Sequence, residues 1–266
     1  MHELQREIPS DENPPLADAA PPIAIQLDGV SKRYGRKEAV RDLSLSLRAG
    51  EVFAFLGPNG AGKTTTMKLT CGLLRPDAGR VAICGVDMTR HSRQAKQHIA
   101  YVPDLPFLYD KLTGREFIRF TREMYGVAPA AAERRLDELT QRLDMAGFLD
   151  HLAETYSHGM KQRVALAAAL IHDPRVLVVD EPMVGLDPRT IRVIKTMFRE
   201  RATAGGTVFM STHTLDIAEQ MADRIGIINN GRLAALGTMA QLRTQAAIDG
   251  RLEDVFLHLT NDAEMT

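Results

Sequence analysis

Val52-Phe53-Ala54-Phe55-Leu56 runs without a break into Gly57-Pro58-Asn59-Gly60-Ala61-Gly62-Lys63-Thr64. Five consecutive apolar residues predict a strand buried on both faces, as in a parallel sheet covered by helices. Gly57 ends that strand, and a helix is predicted from about Gly62 to Leu74, stopped by Arg75-Pro76-Asp77. Gly-x4-Gly-Lys-Thr between a strand and a helix is the pattern of a phosphate-binding loop. Its backbone N–H groups close around phosphate oxygens, and side chains at Gly60 and Gly62 are expected to obstruct that approach. Lys63 supplies a mobile positive charge for the β- and γ-phosphates, the Thr64 hydroxyl can ligate Mg2+, and the following helix points its positive end at the anion. A chain of about 260 residues matches this pattern by accident about once in a hundred, so the loop is read as functional. Kinases, GTPases and transport ATPases all share it, so the loop alone does not name the reaction.

Working outward, residues 1–22 read as a disordered, acidic and proline-rich tail. Glu3, Glu7, Asp11, Glu12 and Asp18 oppose only Arg6, a net −4 in a chain of total charge −1. Such a segment buries too little apolar surface to offset the entropy of ordering. Ile23, Ile25 and Leu27 alternate with other residues, as do Leu43, Leu45 and Leu47, which predicts half-buried strands. Residues 113–170 read as mostly helical, with Phe117, Phe120 and Met124 at helical spacing and Leu136, Leu139 and Leu143 likewise. Strands are predicted again at Val176–Val179, Thr207–Met210 and Ile225–Ile228, with helices around 190–202 and 214–222 between them. Asn230-Gly231 signals a hairpin turn. A last helix over about Leu252–Leu259 carries Leu252, Val255, Phe256 and Leu259 on one face for packing on the domain or on a second copy. The class is α/β with a helical insert.

A second constellation carries acids. Val176-Leu177-Val178-Val179-Asp180-Glu181-Pro182 is a buried strand ending in two carboxylates. A strand end holds Asp180 rigidly, where it can ligate Mg2+ beside Thr64. Glu181 projects differently and can polarise an attacking water.

These residues, with Gly185-Leu186-Asp187-Pro188, Ser211-Thr212-His213 and Tyr156-Ser157-His158-Gly159-Met160-Lys161-Gln162-Arg163, resemble the ATP-binding subunits of ABC transporters. The resemblance runs from about Ile23 to the C-terminus and rests on five motifs in order. It implies a P-loop NTPase fold of the ABC type, with an antiparallel β subdomain and a helical signature subdomain. It also implies an ATP-binding domain over 23–240, the helical part at about 104–172, and a C-terminal helical extension over 241–266. Tyr34 is expected to stack on adenine, residues 57–64 and Thr65 to hold the phosphates, and His213 to contact the γ-phosphate. Ser157 and Gly159 are expected to reach ATP held by another subunit, with Asp187 communicating between the two copies. The resemblance thus implies Glu181 and His213 as the catalytic pair, and Thr64, Asp104 and Asp180 as the metal ligands. Two motifs depart from the family. The common signature Leu-Ser-Gly-Gly-Gln keeps only Ser157 and Gly159 here, with Tyr156, His158 and Met160 in place of three members. The family glutamine after Tyr-Val-Pro is Asp104, a hard anionic donor that can still ligate Mg2+.

The implied partners are an integral-membrane permease, docked near 101–125, and a second nucleotide-binding domain, identical or different. Tyr-Val-Pro-Asp, the altered signature and the ending Leu252-Glu253-Asp254-Val255-Phe256 are similar to the exporter branch. The expected place is cytoplasmic, peripheral on the inner face of the membrane, since no apolar run nears the ~18 residues of a span and residues 1–22 lack a signal-peptide core. Cys71 and Cys84 are too few for a disulfide scaffold. A soluble ABC ATPase acting on ribosomes or DNA is the alternative. Such relatives usually carry two cassettes or a long coiled coil, and the charge balance gives no nucleic-acid field. A kinase or GTPase leaves the His213 strand unexplained and lacks an Asn-Lys-x-Asp motif.

Overall fold

The computed structural model describes residues 21–247 and 250–261. The tail expected over 1–22 falls, for residues 1–20, outside the described residues. Among the described residues the strands are β1 (Ile23–Tyr34), β2 (Lys37–Arg48), β3 (Val52–Leu56), β4 (Ala78–Ile83), β5 (Val86–Asp87), β6 (Ile99–Val102), β7 (Val176–Asp180), β8 (Thr207–Ser211), β9 (Arg224–Asn229) and β10 (Arg232–Gly237). The helices are α1 (Lys63–Thr70), α2 (Ser92–Lys96), α3 (Gly114–Tyr125), α4 (Pro129–Arg142), α5 (His158–Leu170), α6 (Pro188–Thr203), α7 (Leu215–Met221), α8 (Met239–Ala246) and α9 (Leu252–Asn261).

They form two sheets. The smaller has the order β2-β1-β4-β5 and is antiparallel. Its strands alternate as expected: Leu43, Leu45 and Leu47 are buried and the residues between them exposed. Ile23 departs from the alternation, because the β1–β2 register shifts between Ile23 and Ile25 and Ala24 turns inward instead. The larger sheet has the order β10-β9-β3-β8-β7-β6. All its pairings are parallel except the β9–β10 edge. Strands β3, β7 and β8 are buried along their whole length, which is what continuous apolar runs require when helices cover both faces. Asn230 and Gly231 both take positive φ, 47° and 77°, in the two-residue turn of the β9–β10 hairpin.

Helix α1 contacts strands of both sheets, and Met67 and Leu69 bury against Phe53, Phe55 and Phe209. The helix ends at Thr70, four residues before the predicted Leu74. Gly72 adopts φ +62°, and the N–H groups of Gly72 and Leu73 return to the carbonyls of Leu69 and Lys68 at 3.1 and 2.9 Å. That is a Schellman closure, and it stops the helix ahead of Pro76.

Between β6 and β7 lie α3, α4, a 3-10 turn at Ala153–Thr155 and α5. Thr113 and Glu116 form a capping box at the start of α3. Leu136, Leu139 and Leu143 are buried as expected, but Phe120 and Met124 are exposed. The inward side of α3 is instead Gly114 and Ile118. Helix α9 packs on the domain itself, against α7, α8 and β10, with Leu252 and Val255 fully buried.

Candidate nucleotide site

Parallel pairing decides where the chemistry gathers. Strands β3, β8 and β7 are neighbours and point the same way. Their C-terminal ends therefore bring together the loop at 57–64, His213 and the acids Asp180 and Glu181. A cleft of about 310 Å³ opens there, lined by Tyr34, Pro58, Asn59, Gly60, Gly62, Lys63, Thr64, Thr65, Asp104, Asp180 and Glu181. Lys37 and Ala39 complete the lining. The sequence reading missed both, since a strand lysine two residues beyond Gly35 carries no motif. Gly57 and Ala61 belong to the loop but lie beneath it.

The glycines also meet packing demands that the sequence did not show. A Cβ on Gly62 sits 2.4 Å from the Ala39 carbonyl oxygen, and one on Gly57 sits 2.3 Å from that of Ile228. Gly57 and Gly62 are thus demanded by close packing against β2 and β9, and Gly62 also by φ +114°. At Gly60 a Cβ meets only the Lys37 ammonium, at 3.8 Å, so that glycine answers to its φ of +80°.

Lys63 is 8% exposed. Its ammonium donates to the carbonyls of Gly57 at 2.6 Å and Pro58 at 3.3 Å. Burial pulls its pKa below the usual lysine value, opposed by the charges of Glu181 and Asp180. A nearly buried cation held by neutral carbonyls at a helix N-terminus fits an anionic ligand.

Asp180 is buried at the end of β7. Its Oδ1 accepts from the Ser211 hydroxyl, and its Oδ2 is 3.4 Å from the Tyr101 hydroxyl. Burial first, then the Asp180 charge, raises the Tyr101 pKa, so that hydroxyl keeps its proton. Glu181 leaves the strand with φ +49°, a left-handed turn unusual for a residue with a Cβ. That turn carries its carboxylate to His213: Oε2 is 2.9 Å from Nδ1 and 3.3 Å from the backbone N–H. Thr64, Asp104 and Asp180 offer oxygen donors to one cleft. Among the described residues no three His, Cys, Asp or Glu side chains converge to hold a metal alone. A hard cation here must draw further ligands from phosphate and water.

Ser157, Gly159 and Asp187 do not line this cleft. Ser157 caps α5, its hydroxyl accepting from the Met160 N–H at 3.3 Å. Asp187 caps α6, accepting from the N–H groups of Arg189 and Thr190, both at 3.0 Å. The Thr190 hydroxyl first, then these N–H groups, hold the Asp187 carboxyl below its usual pKa. The replaced signature residues have packing roles. The Tyr156 hydroxyl accepts from the Gly114 N–H at 3.0 Å and reaches the Phe148 and His151 carbonyls, both at 2.9 Å. It thereby ties α5 to the start of α3. His158 sits in the first turn of α5 with ordinary helical geometry, so its Cβ meets no backbone obstacle. Its ring lies against Gly185.

The family model described as ABC transporter matches residues 40–184. The chain is 38% identical over 218 residues to a linearmycin resistance ATP-binding protein of Bacillus subtilis (strain 168), covering 82% of this chain and 70% of that one. It is 39% identical over 226 residues to a daunorubicin resistance ATP-binding protein of Streptomyces coeruleorubidus, covering 85% and 72%. A probable multidrug ABC transporter ATP-binding protein of Escherichia coli (strain K12) is 35% identical over 242 residues, and there the chain spans only 42% of the relative's length. Among solved structures, an ATP-binding subunit of an ABC transporter superposes with TM-score 0.85 at 32% identity, covering 89% of this chain and 99% of the other. A Clostridium perfringens protein described as part of an ABC transporter complex gives TM-score 0.72 at 25% identity, covering 84% and 92%. With the matched model spanning more than half of the chain and the strand ends carrying the expected residues, this chain belongs to the ABC transporter family, as an ATP-binding subunit and ATPase that powers transport together with a membrane permease.

Proposed function

We propose that the cleft binds Mg2+-ATP, that Glu181 is the general base for its hydrolysis, and that the energy drives export. The observation that carries this reading is the contact between Glu181 Oε2 and His213 Nδ1 at 2.9 Å beside the phosphate loop. A carboxylate so held can take a proton from water, and His213 in its protonated form donates through Nδ1 to Glu181 and through Nε2 to the γ-phosphate. Lys63 and the loop N–H groups neutralise the phosphates, and Tyr34, half exposed at the rim, offers a ring to adenine. Thr64, Asp104 and Asp180 are the residues that would hold Mg2+, which supplies charge neutralisation at the β- and γ-oxygens. Export is supported by the names of the relatives, two of which are resistance proteins.

Ser157, Gly159 and Asp187 stand apart from the cleft, which supports a second copy of this chain as the source of the signature contacts to each ATP. Phe107, Tyr109 and Phe120 form an exposed ring cluster, the Tyr109 ring 5.8 Å from both of the others, and Leu105 and Met124 are exposed as well. The cluster begins three residues after Asp104 in the chain, and it is the proposed permease contact. Among the described residues no helix is long and apolar enough to cross a membrane, and the proposed location is the cytoplasmic face of the membrane that holds the permease.

Glu181→Gln tests the chemistry, because an amide of the same shape cannot accept the proton. Turnover should fall by at least about 100-fold, with ATP affinity within about threefold of the parent. An unchanged rate removes the general-base assignment.

A further inference from the structure

Ser211 opens the Ser-Thr-His stretch at the end of β8 and does not line the cleft. Strands β7 and β8 place it directly opposite Asp180 in register. It is fully buried. Its hydroxyl donates to Asp180 Oδ1 and accepts from the Glu181 N–H at 3.1 Å. A serine hydroxyl can do both at once, because it has one proton and two lone pairs.

The second bond matters most. Glu181 turns out of β7 with φ +49°, so its N–H leaves the regular ladder at the point where the chain reverses. Ser211 receives that N–H. The same reversal aims the Glu181 carboxylate at His213, two residues beyond Ser211 on the neighbouring strand. One side chain thus fixes the end of β7 to the end of β8, the acid that faces the metal position to the acid that faces water, and both to the histidine.

We infer that Ser211 is a positioning residue for hydrolysis, holding the left-handed turn at Glu181 and with it the orientation of the catalytic carboxylate. It touches neither phosphate nor water and acts through Glu181. The inference rests on Glu181 being the general base. Losing the hydroxyl frees the Glu181 N–H and lets the carboxylate swing from its working direction, while Lys63 and the loop still grip ATP. The signature is a fall in kcat with KM almost unmoved.

The test compares ATP turnover and fluorescent-ATP binding for the parent, Ser211→Ala, Ser211→Cys, Ser211→Thr, Glu181→Gln and the Ser211→Ala/Glu181→Gln double variant. Alanine and cysteine should lower kcat by about 10- to 100-fold, with KM and nucleotide affinity within about threefold. Threonine keeps the hydroxyl on a strand-compatible side chain and should retain about half the parental rate. The double variant should turn over no more slowly than Glu181→Gln alone, because a residue acting through Glu181 has nothing left to position. Should the alanine variant fold poorly, cysteine against threonine decides, since cysteine matches the size of serine and lacks its strong hydrogen bonding. Equal rates for cysteine and threonine overturn the inference. So does an alanine variant within twofold of the parent, or a double variant slowed again by the full factor. Glu181→Gln at the parental rate removes the base assignment and this inference together. An inactive Glu181→Gln beside a fully active Ser211→Ala removes this inference alone.

Discussion

Gly62 shows how one residue can be legible for one reason and required for another. Its place in Gly-x4-Gly-Lys-Thr identified the phosphate loop, and access of phosphate to the backbone was the reason read from the sequence. In the folded chain the obstacle to a side chain at Gly62 is the Ala39 carbonyl, 2.4 Å from where a Cβ would stand. The sequence could not name Ala39, because nothing local says that β2 passes over the loop. Gly62→Ala therefore damages both fold and site, with a loss of roughly 2 kcal/mol or more. Gly60→Ala meets no backbone and should lose only about 1 kcal/mol, the strain of its positive φ. Urea denaturation with and without ATP checks the pair. Equal losses for the two variants contradict the packing explanation. Asp180, Glu181 and His213 were readable as motif members, but the bonds from Ser211 and Tyr101 to Asp180 were not. Those depend on which strands lie side by side.

At the scale of elements, continuous apolar runs such as Val52–Leu56 and Val176–Val179 indicated the buried strands correctly, because burial on both faces leaves no room for alternation. Helix α3 shows what such spacing leaves open. The spacing of Phe117, Phe120 and Met124 correctly indicated a helix with an apolar face, and periodicity says nothing about what covers such a face. Met124 is 69% exposed and Phe107 of the preceding loop 76%. This exposed cluster of rings, which begins three residues after Asp104 in the chain, is the proposed permease contact. Phe107→Ala combined with Tyr109→Ala should leave the ATPase rate of the isolated subunit within about twofold of the parent, since neither ring lines the cleft. It should abolish co-purification with the permease from detergent-solubilised membranes. Undiminished co-purification contradicts this placement of the contact.

For the molecule as a whole, the order β10-β9-β3-β8-β7-β6 is what assembles the site, and that order was not legible from the residues alone. Several buried strands of similar composition can neighbour one another in many ways. At the end of the helical insert, Tyr125 of α3 stacks on His172, ring centroids 3.6 Å apart and planes within 9°. Burial pushes the His172 pKa down to about 4, against about 6.5 in an unfolded chain. Between these values the unfolded chain takes up a proton that the folded chain refuses. Stability therefore rises with pH across that window and is lost as pH falls from about 6.5 to about 4. The loss should reach about 2 kcal/mol, allowing for the solvent that reaches the ring. His172→Phe keeps a ring for the stack and should remove this share of the acid sensitivity. Denaturation curves at pH 4.5 and 7 test it, and identical pH dependence in both proteins contradicts it.

The central claim is that each ATP site is completed by Ser157 of a second copy. Light scattering of the Glu181→Gln chain measures it most directly. With saturating Mg2+-ATP the mass should double from 29.4 kDa, and it should stay monomeric with ADP or when Ser157→Arg is added. A monomer under saturating ATP, or a dimer indifferent to both nucleotide and Ser157, contradicts the account.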